Sequence, residues 1–216
     1  GEAVLEVERI GTRFLLFPEW GFASSPVTAI AVTTTGDARF TAGDVPLAAP
    51  DGGPVVYAAL TPAVYVFGHD SQFLEADPVT VLAMGADAAV ALDIRPNSVF
   101  EAIVRDQVDA DLAACTAQRV LFPAGCPFGH AIENRVASEP LWTIAEPPTV
   151  TLVPSEVFGV WEVRGTDAVA RLEVDVQSLF DGTVAPLTQD VPFAVAYAVA
   201  FDGTTVVLTS PRLTAG

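Results

Sequence analysis

The side chains able to do chemistry in this sequence are few. There are two cysteines, Cys115 and Cys126, and two histidines, His69 and His130, among 27 acidic and ten basic residues, the latter all arginine. Cys126 sits in Pro123-Ala124-Gly125-Cys126-Pro127, a run that cannot be helical throughout and can turn the chain back toward Cys115. In an oxidising compartment the two sulfurs should bond, and closing so short a loop stabilises by roughly 3 kcal/mol on the chain-entropy model. The rival readings are two unrelated thiols, or a zinc site of Cys115, Cys126 and His130 with Glu133 as a fourth ligand. The spacing matches no short zinc motif, so no metal is expected. A catalytic thiol is disfavoured as well, because Cys115 falls at the C-terminal end of a helical pattern, where the helix dipole raises a thiol pKa.

His69-Asp70-Ser71 contains three catalytic residue types. Neighbours in one strand or turn are not expected to form a triad, so the segment reads as a turn, and His130 beside Gly129 reads as loop surface. Asp109 and Asp111 project about 200° apart on a helix and cannot share an ion, while Asp106 and Asp109 share a solvated side. Nothing singles out two carboxylates as a glycosidase pair. Trp20, Trp142, Trp161 and the single Met84 read as core, with an aromatic sugar-binding surface as the alternative. There is no G-x-S-x-G, H-E-x-x-H, phosphate-cradling glycine loop or EF-hand loop. No catalytic residue and no cofactor is therefore expected, and an enzyme is not.

Charge narrows the partners. The net charge is -17. Residues up to Arg95 carry 12 acidic and 4 basic side chains, and the remainder 15 and 6, so neither half hides a basic face. Such a chain repels phosphate backbones and anionic lipid surfaces alike. Hydrophobic residues make up 51% of the sequence, ample for a packed core, yet no apolar run reaches the ~18 residues of a membrane span. The absence of lysine fits a GC-rich coding sequence. Gly1 reads as the remnant of a removed N-terminus, so a missing export signal does not argue for the cytosol.

Stepping along the chain, residues 1 to 95 predict a β-sandwich module, immunoglobulin- or transthyretin-like, with turn signals every eight to twelve residues. Its strands are expected at Val4–Glu8, Phe14–Phe17 (broken by Pro18), Val27–Thr35, Arg39–Thr41, Val55–Tyr57, Ala63–Phe67, Val79–Ala83 and Ala88–Ile94. Residues 96 to 216 predict an α+β module. Ser98 and Glu101 form a capping-box pattern, and apolar residues at Phe100, Ile103, Val104, Val108, Leu112 and Cys115 predict an amphipathic helix from Val99 to about Gln118. Four to six antiparallel strands follow, among them Leu141–Ile144, Val150–Val153, Phe158–Val163, Ala168–Val176 and Val191–Phe201. In the last, Phe193, Val195, Tyr197, Val199 and Phe201 alternate with alanines, giving one bulky core face and one face small enough for another layer to approach. Asp202-Gly203 predicts a turn into residues 204–209.

Two stretches carry a resemblance. Leu112-Ala113-Ala114-Cys115, then Pro123-Ala124-Gly125-Cys126-Pro127-Phe128, then Leu141-Trp142-Thr143-Ile144 resemble the C-terminal extracytoplasmic module of membrane-anchored surface proteins of high-GC Gram-positive bacteria. Upstream, Leu60-Thr61-Pro62-Ala63-Val64-Tyr65 is similar to the L-x-P-G-x-Y of the β module that precedes it there, with Ala63 in place of glycine. The resemblance implies an extracytoplasmic location, at the cell surface or secreted, with a membrane anchor N-terminal to this sequence. It supplies no active site. A cystatin-like or NTF2-like second module would be the fold analogue. The expected function is non-catalytic display or interaction with an unknown protein or cell-envelope ligand. The alternatives are a small-molecule or peptide binder with a pocket between helix and sheet lined by Phe100, Val104 and Tyr197, and a cell-wall hydrolase.

Overall fold

Alternating apolar and small residues build most of this chain into strands, as the computed structural model shows for residues 5–202 and 205–209. The chain is mainly β with one α-helix among the described residues. It falls into two compact units, Gly1–Asn97 and Ser98–Gly216.

The first unit contains β1 (Val7–Arg13), β2 (Phe17–Phe22), β3 (Val27–Thr35), β4 (Arg39–Ala42), β5 (Val45–Ala48), β6 (Val55–Leu60), β7 (Ala63–Asp70), β8 (Leu74–Ala83), β9 (Ala88–Asp93) and β10 (Arg95–Pro96). One sheet has the order β10-β8-β7-β4-β5 and another the order β6-β3-β9, with β3 and β9 parallel. In β3, Thr28, Ile30, Val32 and Thr34 are buried in strict alternation, and Phe40, Phe67, Val90 and Leu92 join them in the core. The sheets meet where the Phe40 ring stands edge-on to Tyr57, whose hydroxyl donates to the Ala48 carbonyl. Asp87 fixes the start of β3, accepting from the Thr28 hydroxyl at 3.1 Å and the Ala29 amide at 2.9 Å.

The first two strands differ from the expected ones. β1 and β2 are a hairpin of their own, and Phe14, Leu15 and Leu16 form its turn rather than a strand. Pro18 lies inside β2, and Val4 falls outside the described residues. A two-stranded ribbon leaves every residue near an edge, so a proline within it interrupts little. Phe14 and Leu15 have φ of 50° and 62°, left-handed values that glycine and asparagine usually supply. For other L-residues that conformation costs roughly 1–2 kcal/mol each.

The second unit opens with α1 (Ser98–Thr116), which buries Phe100, Val104, Val108, Leu112 and Cys115 along one stripe. Its sheet comprises β11 (Arg135–Val136), β12 (Leu141–Glu146), β13 (Thr149–Pro154), β14 (Trp161–Gln177), β15 (Val184–Asp202) and β16 (Thr205–Thr209). The long strands β14 and β15 pair antiparallel along almost their whole length. β11, β12 and β13 take successive stretches of the other edge of β14, and β16 pairs with β15. The strands expected at Phe158–Val163 and Ala168–Val176 are thus replaced by one, beginning at Trp161. The register slips between Gly165 and Ala168, and Asp167 takes a φ of 59° there. This bulge moves the buried set from Trp161, Val163 and Gly165 to Ala168, Ala170, Leu172 and Val174. In β15, Phe193, Val195, Tyr197 and Val199 are buried. The intervening alanines face solvent rather than another layer, and Phe201 is partly exposed with its ring 5.6 Å from that of Phe100. Gln107 ties the helix to the sheet by donating to the Val206 carbonyl at 2.8 Å. Of the turn expected at Asp202-Gly203, Gly203 lies outside the described residues.

Candidate functional site: the disulfide-pinned cleft

Cys115 occupies the last turn of α1 because it continues the buried stripe; Cys126 returns to it on the loop bent at Gly125, where φ is 73°. The sulfurs are bonded, with Cα atoms 5.7 Å apart and a sequence separation of 11. Gln118, just past the helix, holds the same loop. Its carbonyl accepts from the Ala124 amide at 2.8 Å, and its amide donates to the Ala124 carbonyl at 3.2 Å. Below the loop, Phe128 is buried with its ring 5.0 Å from Trp142 and 5.2 Å from Phe193. The Trp142 indole donates to the Val120 carbonyl at 2.8 Å. The loop is therefore fastened by a covalent bond, an amide clasp and an aromatic stack.

A cleft of about 240 Å³ opens beside this loop, lined by Asp111, Leu112, Cys115, Gln118, Gly125, Cys126 and Tyr197 among others. Its one strongly perturbed group is Tyr197. Burial pushes the phenol up to about 12, and the nearby Asp111 carboxylate, to which it hydrogen-bonds, adds to the shift. A phenol held protonated by a carboxylate is a donor already in use, not a general base. The zinc reading of Cys115, Cys126, His130 and Glu133 ends here, since sulfurs bonded to each other are not thiolate ligands. His130 is instead held through its backbone, its amide donating to the Leu121 carbonyl at 3.0 Å. Among the described residues, no three His, Cys, Asp or Glu side chains gather as a metal site.

The structure does bring together two residues that the sequence reading kept apart. His69 is buried at the end of β7, not in a turn, and its Nε2 lies 2.9 Å from the Ser71 hydroxyl oxygen. Its Nδ1 lies 2.7 Å from the Arg39 carbonyl, which can only accept, so Nδ1 carries a proton. The ring tautomer that carries its proton on Nδ1 is the one that would turn an Nε2 lone pair to Ser71. The same hydroxyl oxygen also accepts from the Leu74 amide at 3.1 Å and lies 3.0 Å from the Leu74 carbonyl, the bonding of a serine that closes a turn. The adjacent Asp37 carboxylate does not complete a triad, being engaged by the Arg39 amide at 2.8 Å and guanidinium at 2.7 Å. Burial pushes the Asp37 carboxyl up, but the bonds to Arg39 outweigh this and hold it below the usual carboxylate range.

The residues expected to line a helix–sheet pocket do not share one of these clefts. Phe100 is fully buried, Val104 borders a cleft of about 220 Å³ with Glu101, Arg105 and Leu152, and Tyr197 borders the disulfide cleft. A more open groove of about 470 Å³ runs between α1 and β12, floored by Leu112, Trp142, Ile144 and Pro147. Asp109 lies on that groove and Asp111 on the disulfide cleft, so the two aspartates serve opposite sides of the helix. Trp142 and Trp161 are core, whereas Trp20 and Met84 are exposed. No helix among the described residues is long and apolar enough to cross a membrane. Comparison with known proteins finds no family model that matches the chain, and no curated protein or solved structure similar to it.

Proposed function

We propose that this chain is a non-catalytic interaction module of a bacterial cell-surface protein, working outside the cytoplasm on a protein or cell-envelope ligand. One observation carries the reading: the side chains best suited to chemistry are bound to one another in structural roles. Cys115 is bonded to Cys126, Gln118 clasps Ala124, the Tyr197 phenol is held by Asp111, and His69 is anchored at both ring nitrogens. A single disulfide at the end of the only helix described fits an oxidising compartment. The net charge of -17 disfavours nucleic acid as the partner.

A second reading rests on the His69–Ser71 contact: the imidazole Nε2 lies 2.9 Å from the hydroxyl oxygen, within reach of a base on its nucleophile, as an acyl-transfer hydrolase would need. One experiment separates the two. The purified chain is incubated with a fluorophosphonate probe and a panel of activated esters, beside Ser71→Ala. The interaction reading expects no covalent label on Ser71 and no turnover above the variant. Labelling of Ser71, or hydrolysis abolished by Ser71→Ala with the fold intact, would overturn it.

A further inference from the structure

We propose that the β1–β2 hairpin is a lipid-surface probe whose apolar tip enters a neutral bilayer while Arg9 and Arg13 meet the headgroup phosphates. The tip is Phe14-Leu15-Leu16-Phe17, with side chains 81%, 95%, 80% and 65% exposed. A soluble surface seldom places four consecutive large apolar residues in water. The turn also holds them against local preference. The Leu16 amide reaches back to the Arg13 carbonyl at 3.4 Å around two left-handed residues, Phe14 and Leu15, where asparagine and glycine would sit without strain. Apolar bulk is thus kept at a position whose backbone favours small polar residues.

The arrangement identifies the occupant. The side chains surround the end of a ribbon two strands wide, so a flat protein partner would cover one side and leave the rest in water. Lipid closes around all of them. Behind the tip the chemistry changes in the order of a membrane interface. Arg13 pairs with Phe17 at the base of the turn. The Arg9 guanidinium leans toward the same level, donating to the Thr12 hydroxyl at 2.6 Å. The other two arginines of this unit, Arg39 and Arg95, are in ion pairs, whereas Arg9 and Arg13 make none among the described residues. They remain available to phosphate, with Glu19 as the acid nearest the tip. Trp20, 61% exposed and paired with Arg9, follows at the depth where aromatic side chains gather at bilayer surfaces. From the Thr12–Pro18 pair to the turn is about three residues, roughly 10 Å at strand rise, the depth to which interfacial segments enter. The chain's overall negative charge selects neutral rather than anionic lipid.

Trp20 makes the test direct, because Trp142 and Trp161 are buried and contribute little change. Phosphatidylcholine vesicles are titrated into the whole chain while tryptophan emission is followed, then repeated with brominated phosphatidylcholine. Emission should shift to the blue, and brominated lipid should quench it. The decisive variant is Phe14→Asn with Leu15→Gly, which suits the turn and removes the two most exposed tip side chains, so hairpin unfolding cannot explain a loss. Its partition coefficient should fall on the order of a hundredfold. Arg13→Gln should weaken partitioning several-fold. An unchanged spectrum with vesicles, equal partitioning by the turn variant, or hairpin-dependent dimerisation in sedimentation without lipid binding would each overturn the proposal.

Discussion

Cleaving the Cys115–Cys126 bond should cost the second unit about 3 kcal/mol. The chain-entropy model for a loop of eleven positions gives an unfolded-state entropy loss near 9 cal/mol/K, hence about 2.8 kcal/mol at 25 °C. A unit of about 120 residues unfolds with an entropy near 0.25 kcal/mol/K, so the transition should move down by about 11 °C. The clean perturbation is reduction by a phosphine, with Cys115→Ala/Cys126→Ala as its permanent counterpart. A Trp20→Phe background confines tryptophan emission to Trp142 and Trp161, both in the second unit. Melting of oxidised and reduced protein in that background reads the effect. The double variant should fall slightly further, because Cys115 is buried and alanine leaves a small void. A drop below about 3 °C would refute the reasoning. It would mean that the Gln118–Ala124 clasp and the Phe128–Trp142 stack hold the loop without the bond, and that the unfolded loop is already constrained.

Two further outcomes follow from single contacts. A methyl group added at Gly165 would meet Val195 Cγ2 at 2.5 Å and Pro148 Cβ at 3.0 Å, so Gly165→Ala should destabilise by about 1–3 kcal/mol in urea unfolding; an unchanged midpoint would show slack between β14, β15 and the connection at Pro148. The Tyr197 phenol is raised from 10.0 to about 12, so below pH 10 both folded and unfolded states hold the proton and the stabilisation is complete. Between pH 10 and 12 only the folded state keeps it, and about 2–3 kcal/mol is lost as pH rises, a slope that Tyr197→Phe should abolish when urea midpoints are compared at pH 8, 10 and 11.5.

What was legible in the sequence depended on whether a pattern kept one phase. The helix did: Phe100, Val104, Val108 and Leu112 recur every four residues, and the predicted Val99–Gln118 span differs from the observed Ser98–Thr116 only at its frayed ends. Val27–Thr35 did as well, and its predicted and observed bounds coincide. In β14 the alternation changes phase at the bulge, so one strand of seventeen residues reads as two shorter ones. The hairpin failed for another reason. Phe14-Leu15-Leu16-Phe17 has the composition of a buried strand, and no local rule places such residues in a left-handed turn facing water. The same assumption, that aromatic means core, misplaced Trp20. His69–Ser71 was missed because only tertiary structure brings the Arg39 carbonyl to Nδ1 and leaves Nε2 for the serine. The Cys115–Cys126 bond was legible because helix end, bend and second sulfur lie within a dozen residues.

The acidity and the exposed hairpin make physical sense together. An apolar tip on a nearly neutral protein would drive copies together, since such patches associate and unpaired hairpin edges template further strands. Seventeen net negative charges per copy oppose that approach. The repulsion is general over the surface and is locally offset at the base of the tip, where Arg9 and Arg13 make no ion pair among the described residues. A neutral headgroup layer carries no net charge to repel the body and offers phosphate to Arg9 and Arg13, whereas a second copy brings the full repulsion. Raising ionic strength should therefore shift the balance in one direction only. Screening shortens the reach of the charges to a few ångströms at 1 M salt and should promote self-association through the hairpin, while partitioning into phosphatidylcholine, driven mainly by apolar burial, should lose no more than the several-fold contribution of the arginine–phosphate contacts.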